Sequence, residues 1–277
     1  VIAFLWTLTL FGSKVRRMTI IVSGTGIAGM SAALAAANAG HRVTLCGHHA
    51  SLPPAGGIQL APNGWHALDQ LGLFDAAVKR ATQLKHIIVR DLNNGATLTR
   101  LGLANHYASI GRADLIDLLQ GAVAKHSAIT HHLALISQAV PRKDSVGLVL
   151  DDGQSMVAAA LIAADGVAGL GRRLITGAAS GEITYSGRVA MRADIDAANL
   201  PAVFAQPASN LWLGQGAHLV HYPIAGGRRI NFAVTLSAQL ANSHWQAKIF
   251  GANPLFEQLA TSQFQWIKTS VSSAGSP

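Results

Sequence analysis

The stretch TIIVSGTGIAG, from Thr19 to Gly29, decides the fold of this chain. Its first five residues form a short apolar run, which is typical of a buried parallel strand. The three glycines that follow have different roles. Gly24 allows a tight turn, Gly26 lets a pyrophosphate approach the backbone, and Gly29 lets a helix pack closely on the strand. The order strand, glycine loop and helix predicts a dinucleotide-binding site.

The residues after the loop extend this pattern. Residues 27–39 have the composition of a helix, Gly40 ends it, and residues 42–45 form a second strand. The N-terminal N–H groups of such a helix attract a pyrophosphate without any basic side chain. The sequence therefore assigns phosphate binding to the loop and first turn, Gly24, Thr25, Gly26, Ile27, Ala28 and Gly29.

An acidic residue is expected after the second strand, where its carboxylate would accept hydrogen bonds from an adenosine ribose. Cys46, Gly47 and His48 stand there instead. Loss of one charged hydrogen bond weakens binding by about 1.5–3 kcal/mol, roughly ten- to a hundred-fold. We expect a nucleotide to bind here, near Gly47 and His48, but less tightly.

The composition excludes several classes of protein. The net charge is +8, but Lys14, Arg16 and Arg17 belong to the first 17 residues, and without these three it falls to +5. No basic stripe with interleaved aromatic residues remains, so we expect no nucleic-acid partner. The single cysteine, Cys46, excludes an internal disulfide and fits a reducing, cytoplasmic location. The twelve histidines lack metal-ligand spacing, so we expect no metal.

The two ends of the chain differ from the rest. Residues 1–12 are almost wholly apolar, but a membrane span needs about 20 apolar residues. We interpret residues 1–17 as a leader or upstream extension, with a weak interfacial anchor as the alternative. Residues 267–277 are polar without apolar periodicity and predict a disordered tail.

A resemblance to a known family emerges from the stretch AGGIQLAPNGWHALDQLGL, residues 55–73. It is similar to the segment that follows the second strand in salicylate hydroxylase-like and para-hydroxybenzoate hydroxylase-like FAD-dependent aromatic monooxygenases. The resemblance implies that Gly56 and Gly57 lie near the flavin. Asn63 is a chemically suitable N-cap for the next helix.

Two later motifs strengthen this resemblance. GRADLIDLLQ predicts a helix that Arg112 opens, with Leu115, Leu118 and Leu119 on one face. The family places an arginine here against the ribityl and phosphate region of the flavin. LIAADGVAGLGRRL places Asp165 and Gly166 after a short buried strand, with a hairpin predicted earlier at residues 151–153. The resemblance implies a role for Asp165 and Gly166 at the pyrophosphate, although the family usually has a serine where Gly169 stands.

The remaining matches predict a substrate-binding sheet. YSGRVAMRADI and NLWLGQGAHLVHYPIAGGRRINFAV have the alternating pattern of an antiparallel sheet. The resemblance implies that Arg192, His221, Tyr222 and Pro223 border the space beside the flavin ring. Taken alone, His221 is more typical of a core histidine.

The sequence thus predicts an α/β fold in which a Rossmann-type FAD-binding domain is interleaved with a mostly antiparallel substrate-binding sheet. We expect the FAD-binding domain at residues 18–181 and an incomplete substrate sheet at residues 182–266. The family continues with a Gly-Asp motif and a flavin-contacting helix that nothing here matches. We therefore expect the flavin site to be incomplete and activity to be impaired in a C-terminally truncated chain.

The resemblance implies hydroxylation of a small aromatic substrate with FAD, NADH or NADPH, and O2, through a flavin hydroperoxide. An inactive truncated remnant with weak nucleotide binding is one alternative. A nicotinamide-only dehydrogenase is another, in which Gly47 makes room for a ribose phosphate near Arg42 or His48. The sequence selects neither the aromatic substrate nor the oligomeric state.

Overall fold

The structure is a computed structural model, and it describes residues 18–48, 56–103, 106–167, 169–176, 185–200 and 202–237. The predictions for the leader, residues 1–17, and for the tail, residues 267–277, lie outside these ranges. The end of the expected substrate sheet, beyond residue 237, does so as well.

The described residues form five α-helices and sixteen strands. The helices are α1 (Ile27–Asn38), α2 (Pro62–Gln70), α3 (Phe74–Val78), α4 (Arg112–Lys125) and α5 (Leu170–Thr176). The strands are β1 (Thr19–Ser23), β2 (Arg42–Cys46), β3 (Gly57–Leu60), β4 (Thr82–Gln83), β5 (His86–Asp91), β6 (Thr97–Gly102), β7 (Ala108–Gly111), β8 (Ile129–His132), β9 (Ile136–Pro141), β10 (Val146–Leu150), β11 (Ser155–Ala158), β12 (Ala160–Ala163), β13 (Arg188–Asp196), β14 (Ala208–Gly214), β15 (Ala217–Ile224) and β16 (Arg229–Ser237).

The chain forms two compact units, each made of two segments. The first unit is Val1–Ser51 with Leu119–Glu182, and the second is Leu52–Leu118 with Ile183–Pro277. The sequence predicted one FAD-binding domain for residues 18–181. Residues 52–118 instead group with the later segment, because β5 from this stretch pairs in parallel with β14.

The first unit is built on a four-stranded parallel sheet in the order β12-β1-β2-β8. This confirms the predicted strand, helix and second strand, since β1 and β2 pair in parallel from Thr19–Arg42 to Ser23–Cys46. A second, antiparallel sheet has the order β11-β10-β9. Its hairpin turns at residues 151–153, as predicted.

The second unit contains a six-stranded sheet in the order β13-β16-β15-β14-β5-β6. Its pairs are antiparallel except β14 with β5, so the prediction of a mostly antiparallel sheet is confirmed. One face carries an apolar core with large side chains at its centre: Leu92, Phe204, Trp212, Leu219 and Phe232. A smaller sheet in the order β3-β7-β4 completes this unit.

Two local predictions were wrong. Asn63 is not an N-cap, because α2 begins one residue earlier with Pro62, whose fixed φ suits the first helical position, and Ala61 is the cap. The strand before Asp165 is half-buried rather than buried, since β12 ends the order of its sheet and has one strand neighbour.

The helix that Arg112 opens is confirmed, with Leu115, Leu118 and Leu119 all buried. No helix among the described residues combines the length and the apolar character that crossing a membrane requires.

Candidate functional site

The glycine loop between β1 and α1 has the geometry that its sequence predicts. Gly24 has φ +102°, and a Cβ there would lie 2.3 Å from the carbonyl oxygen of Ala164. A Cβ on Gly29 would lie 1.7 Å from the carbonyl oxygen of Gly24. Neither position accepts a larger residue, because real Cβ atoms do not approach backbone atoms so closely. Gly24 and Gly29 therefore bring the helix against the strand.

Gly26 behaves differently from these two glycines. It is the N-cap of α1, and a Cβ there would meet no atom within 4 Å. No side chain caps the helix, and its first turn contains no acidic residue. Uncapped N–H groups at a helix start bind anions. The loop thus combines open space with positive partial charge, which fits the diphosphate of a dinucleotide.

Gly47 stands where an acidic residue is expected, and the local backbone conformation favours glycine. Gly47 follows β2 with φ +147°, and a Cβ there would lie 3.0 Å from Cγ2 of Thr25. The hydroxyl of Thr25 donates a hydrogen bond of 2.5 Å to the carbonyl of His48. A side chain at position 47 would be strained and crowded, so this backbone suits glycine in place of the expected acid.

Histidine and aspartate side chains surround the end of β2. Nε2 of His48 lies 3.7 Å from Oδ2 of Asp151, and Nε2 of His132 lies 3.0 Å from Oδ2 of Asp152. A backbone hydrogen bond from Gln154 and the contact with His132 hold the pKa of Asp152 below its ordinary value. Sequence reasoning assigned these pairs no role, because the hairpin that carries both aspartates is distant in sequence.

Asp165 lies at the end of β12 and faces the start of α5. Its Oδ2 accepts hydrogen bonds from Ser23 Oγ at 3.4 Å and from Gly171 N–H at 3.2 Å. A Cβ at Gly169 would lie 2.2 Å from Cγ of Asp165. The serine usual in the family would therefore displace this carboxylate, and glycine at 169 lets Asp165 fold over the helix start. Gly166 follows with φ +83°.

In the second unit, Arg112 and Gly56 are neighbours. The N–H of Arg112 donates a 2.8 Å hydrogen bond to the carbonyl of Gly56. A Cβ on Gly56 would touch the Arg112 side chain at 3.7 Å. Asp114 in the first turn of α4 offsets the unfavourable cation at this helix start. The structure thus brings together Gly56 and Arg112, which belong to two separate motifs of the sequence.

Gly57 and Tyr222 form a second contact that the sequence does not reveal. A Cβ on Gly57 would lie 2.6 Å from Cε2 of Tyr222, so glycine lets the ring lie against β3. Tyr222 is buried, and burial raises its pKa to about 12, with Arg192 opposing the rise and Asp194 adding to it. The phenol therefore stays protonated and remains a hydrogen-bond donor at neutral pH.

Asp194 is a residue that sequence reasoning missed. Its Oδ2 accepts the N–H of Gly56 at 3.0 Å, and its Oδ1 accepts Nδ2 of the buried Asn231 at 2.6 Å. Asp194, Asn231 and Tyr222 are directly paired across β13, β16 and β15, so they share one face of the sheet. The signal was an acidic residue two positions after Arg192 on a predicted strand, because such residues share a face.

The four proposed substrate residues divide between two faces. Arg192 and Tyr222 share the face of Asp194, whereas His221 and Pro223 alternate to the other. His221 is fully buried among the rings of Phe204, Trp212 and Phe232, with centroids 5.0–5.9 Å away.

The His221 ring nitrogens have no hydrogen-bond partner among the described residues. Burial, with Arg90 nearby, lowers its pKa to about 3. His221 is therefore a neutral residue of the core. The carbonyl of Pro223 accepts a short hydrogen bond from Ser109 Oγ.

No family model matches the chain, but curated relatives do. It is 33% identical to 3-hydroxybenzoate 6-hydroxylase 1 of Aquipseudomonas alcaligenes over 228 residues, which are 78% of this chain and 57% of that protein. It is also 33% identical to a 3-amino-4-hydroxybenzoate 2-monooxygenase of Streptomyces platensis over 263 residues, 90% of this chain and 63% of the relative. The chain is a homologue of the FAD-dependent aromatic monooxygenases.

Solved structures of aromatic monooxygenases and other flavoproteins share the fold of this chain. A salicylate hydroxylase in its substrate complex aligns with TM-score 0.72 and 20% identity, covering 93% of this chain and 66% of that one. Klebsiella pneumoniae HpxO, complexed with FAD and uric acid, aligns with TM-score 0.70 and 22% identity, covering 91% of this chain and 65% of that one. The chain spans about 57% of the length of the first hydroxybenzoate hydroxylases that it matches.

Proposed function

We propose that this chain is the part of an FAD-dependent monooxygenase that binds the adenine dinucleotide and a small aromatic substrate, with NADH or NADPH as reductant and O2 as oxidant. The observation that carries the proposal is the identity of one third to hydroxybenzoate hydroxylases across most of the chain. The open, uncapped start of α1 supports it independently, because it fits a diphosphate.

In the first unit, the loop from Gly24 to Gly29 binds the FAD pyrophosphate through backbone N–H groups. Gly24 and Gly29 set the turn and the helix position, and Thr25, Ile27 and Ala28 supply the remaining backbone. Gly26 leaves room for the phosphates, because nothing lies within 4 Å of its Cβ position. Gly47 and His48 border the adenosine end, while Asp165 and Gly166 form the turn after β12.

In the second unit, Gly56, Gly57 and Arg112 contact the flavin portion of the cofactor. Arg112 supplies a cation, and cations form strong hydrogen bonds with phosphate oxygens. The backbone bond from Arg112 to Gly56 fixes the spacing of this pair. Two observations support this assignment: the motifs that contain Gly56 and Arg112 both resemble the family, and the two residues are in contact.

The substrate binds on the sheet face that carries Arg192 and Tyr222. Arg192 is exposed and can pair with the carboxylate of a hydroxybenzoate-like ring. The neutral phenol of Tyr222 can donate a hydrogen bond to a ring hydroxyl or carboxylate. His221 belongs to the opposite face and supports the sheet from its core.

When bound, FAD would take two electrons from NADH or NADPH and supply the oxygen chemistry, in which one atom of O2 enters the aromatic ring as a hydroxyl and the other leaves as water. The residues of this chain bind the cofactor and orient the substrate. Backbone N–H groups hold the diphosphate, and Arg192 orients the ring. Tyr222 stays protonated and donates a hydrogen bond to the substrate.

The test is reconstitution of the purified chain with FAD, followed by NADH or NADPH oxidation with 3-hydroxybenzoate and product analysis by mass spectrometry. We expect saturable FAD binding and a product 16 mass units heavier, the mass of one oxygen atom, in a yield below the amount of nicotinamide oxidised, because an incomplete flavin site impairs the oxygen transfer. FAD binding without a hydroxylated product would favour the inactive alternative. Failure to bind FAD or any adenine nucleotide would overturn the proposal.

A further inference from the structure

We infer that His48, oriented by Asp151, takes the place of the missing acid and accepts a hydrogen bond from the adenosine ribose, and that this site selects an unphosphorylated ribose. The inference rests on the proposed binding of an adenine dinucleotide at the glycine loop. It assigns the recognition of the ribose to a pair of residues from two different elements of the first unit.

The position of His48 follows from the geometry at Gly47. Because a Cβ at Gly47 would lie 3.0 Å from Cγ2 of Thr25 and φ is +147°, a carboxylate-bearing residue there would be strained and crowded. His48 is the next residue, and its carbonyl is bonded to the Thr25 hydroxyl within the glycine loop. Its side chain is the first beyond β2 to lie at the carboxyl edge of the parallel sheet, where nucleotides bind in this type of fold.

Asp151 favours the tautomer of His48 that can accept a hydrogen bond from a ribose. Oδ1 of Asp151 accepts the N–H of Leu135 at 2.9 Å, which fixes the carboxylate, and its Oδ2 faces Nε2 of His48 at 3.7 Å. A carboxylate beside Nε2 favours the tautomer with its proton there, so Nδ1 carries a lone pair. Nδ1 can then accept a hydrogen bond from a ribose hydroxyl, as the usual carboxylate does.

Two further histidines hold the backbone that carries His48. Nε2 of His131 lies 2.9 Å from the carbonyl oxygen of Gly47, and the N–H of Gly47 donates to the carbonyl of His132 at 3.1 Å. The imidazole of His48 is 60% exposed and thus accessible to a ligand. The backbone is therefore anchored while the ring remains available.

The charges around this edge disfavour a phosphorylated ribose. Asp151 and Asp152 both lie in the hairpin turn that faces the end of β2, and a phosphate beside them would meet like charge. Arg42 cannot compensate, because it begins β2 while Gly47 follows its end, roughly 15 Å away along a strand. These observations argue against a site in which Arg42 or His48 receives a ribose phosphate.

The inference is tested by measuring the affinity of the purified chain for three probes by calorimetry: ADP, 2′,3′-dideoxy-ADP, and ADP carrying an additional 2′-phosphate. We expect ADP to bind about tenfold more tightly than the dideoxy analogue, as one hydrogen bond of about 1.4 kcal/mol implies. We also expect ADP to bind more tightly than the 2′-phosphorylated analogue, whose extra phosphate would meet the like charges of Asp151 and Asp152. His48→Phe should abolish the preference over the dideoxy analogue. Asp151→Asn should reduce it, and the control His66→Phe, an exposed residue of α2, should retain it.

Each failure has a separate meaning. If the wild-type chain binds ADP and its dideoxy analogue equally, or if His48→Phe keeps the preference while folded by circular dichroism, the inference is overturned and the proposed function stands. Tighter binding of the 2′-phosphorylated probe also overturns it. If none of the probes binds, both the inference and the proposed dinucleotide site fail.

Discussion

Asp194 accepts a hydrogen bond of 3.0 Å from the backbone N–H of Gly56, 138 positions away in sequence. The bond ties the stretch before β3 to the six-stranded sheet within the second unit. Gly56 in turn accepts the N–H of Arg112, so one carboxylate supports the backbone from which the predicted flavin contacts extend.

Replacing Asp194 with alanine should destabilise the chain. Asn231 is buried and would lose its 2.6 Å partner, and an unsatisfied buried amide costs about 1–3 kcal/mol. Urea unfolding measures the loss, with Asp144→Asn, an exposed change in a turn, as the control that stays within about 0.5 kcal/mol. In a double-mutant cycle, Asp194→Ala and Asn231→Ala should couple; strictly additive effects would contradict the pairing.

The glycine loop makes a second prediction about stability. Gly29→Ala should lower the free energy of unfolding by about 1–3 kcal/mol, because its Cβ would overlap the carbonyl of Gly24. Gly121→Ala is the matched change within a helix, where the Cβ meets nothing within 4 Å. It should stabilise by up to about 1 kcal/mol through helix propensity. Thermal or urea unfolding that ranks the two variants the other way would contradict the loop geometry.

The sequence predicted the features that depend on local pattern. The glycine loop, α1, the Arg112 helix and the 151–153 hairpin follow from composition and spacing over short windows, and all four are confirmed. Pairing between distant segments could not be predicted in this way. The parallel pairing of β5 with β14 and the bond from Asp194 to Gly56 depend on tertiary contacts that no local periodicity encodes.

The sequence also did not predict that adjacent residues have different roles. His221 and Tyr222 are neighbours and were grouped together, yet strand alternation puts them on opposite faces. The strand itself was predicted, but the face that meets the aromatic core depends on side chains such as Phe204 and Phe232, which reach His221 from other elements.

Burial of His221 predicts a loss of stability in mild acid. Its folded pKa of about 3 lies below its unfolded value near 6.5, so the unfolded chain binds the extra proton between these values. The contribution is fully present above pH 6.5 and is lost as pH falls toward 3. From pH 6.5 to 5 the free energy of unfolding should fall by about 1.6 kcal/mol more in the wild type than in His221→Phe. Parallel pH profiles for the two proteins would contradict this assignment.

Tyr222→Phe tests the substrate face. The ring would still pack against Gly57, but the phenolic donor would be lost, so the Kd for 3-hydroxybenzoate should rise about tenfold while FAD binding is unchanged. Because the Tyr222 phenol has a pKa of about 12, its contribution should not vary between about pH 6 and 8.5, below the range in which the ligand's own phenol ionises. Tyr185→Phe, at an exposed site, is the control. An unchanged Kd in the Tyr222 variant would remove this residue from the site.

Binding of the dinucleotide by the glycine loop can be measured by titrating FAD into the wild-type chain and into Gly26→Val and recording flavin fluorescence. Gly26 has extended backbone geometry and open space at its Cβ position, so valine should keep the fold, with a loss of about 1 kcal/mol in the free energy of unfolding because valine is a poorer N-cap than glycine. The side chain would fill the volume proposed for the pyrophosphate. We predict saturation at about one FAD per wild-type chain and at least a roughly tenfold weaker affinity in the variant. Equal affinities, or no saturable binding by the wild type, would contradict the claim that this loop binds the dinucleotide.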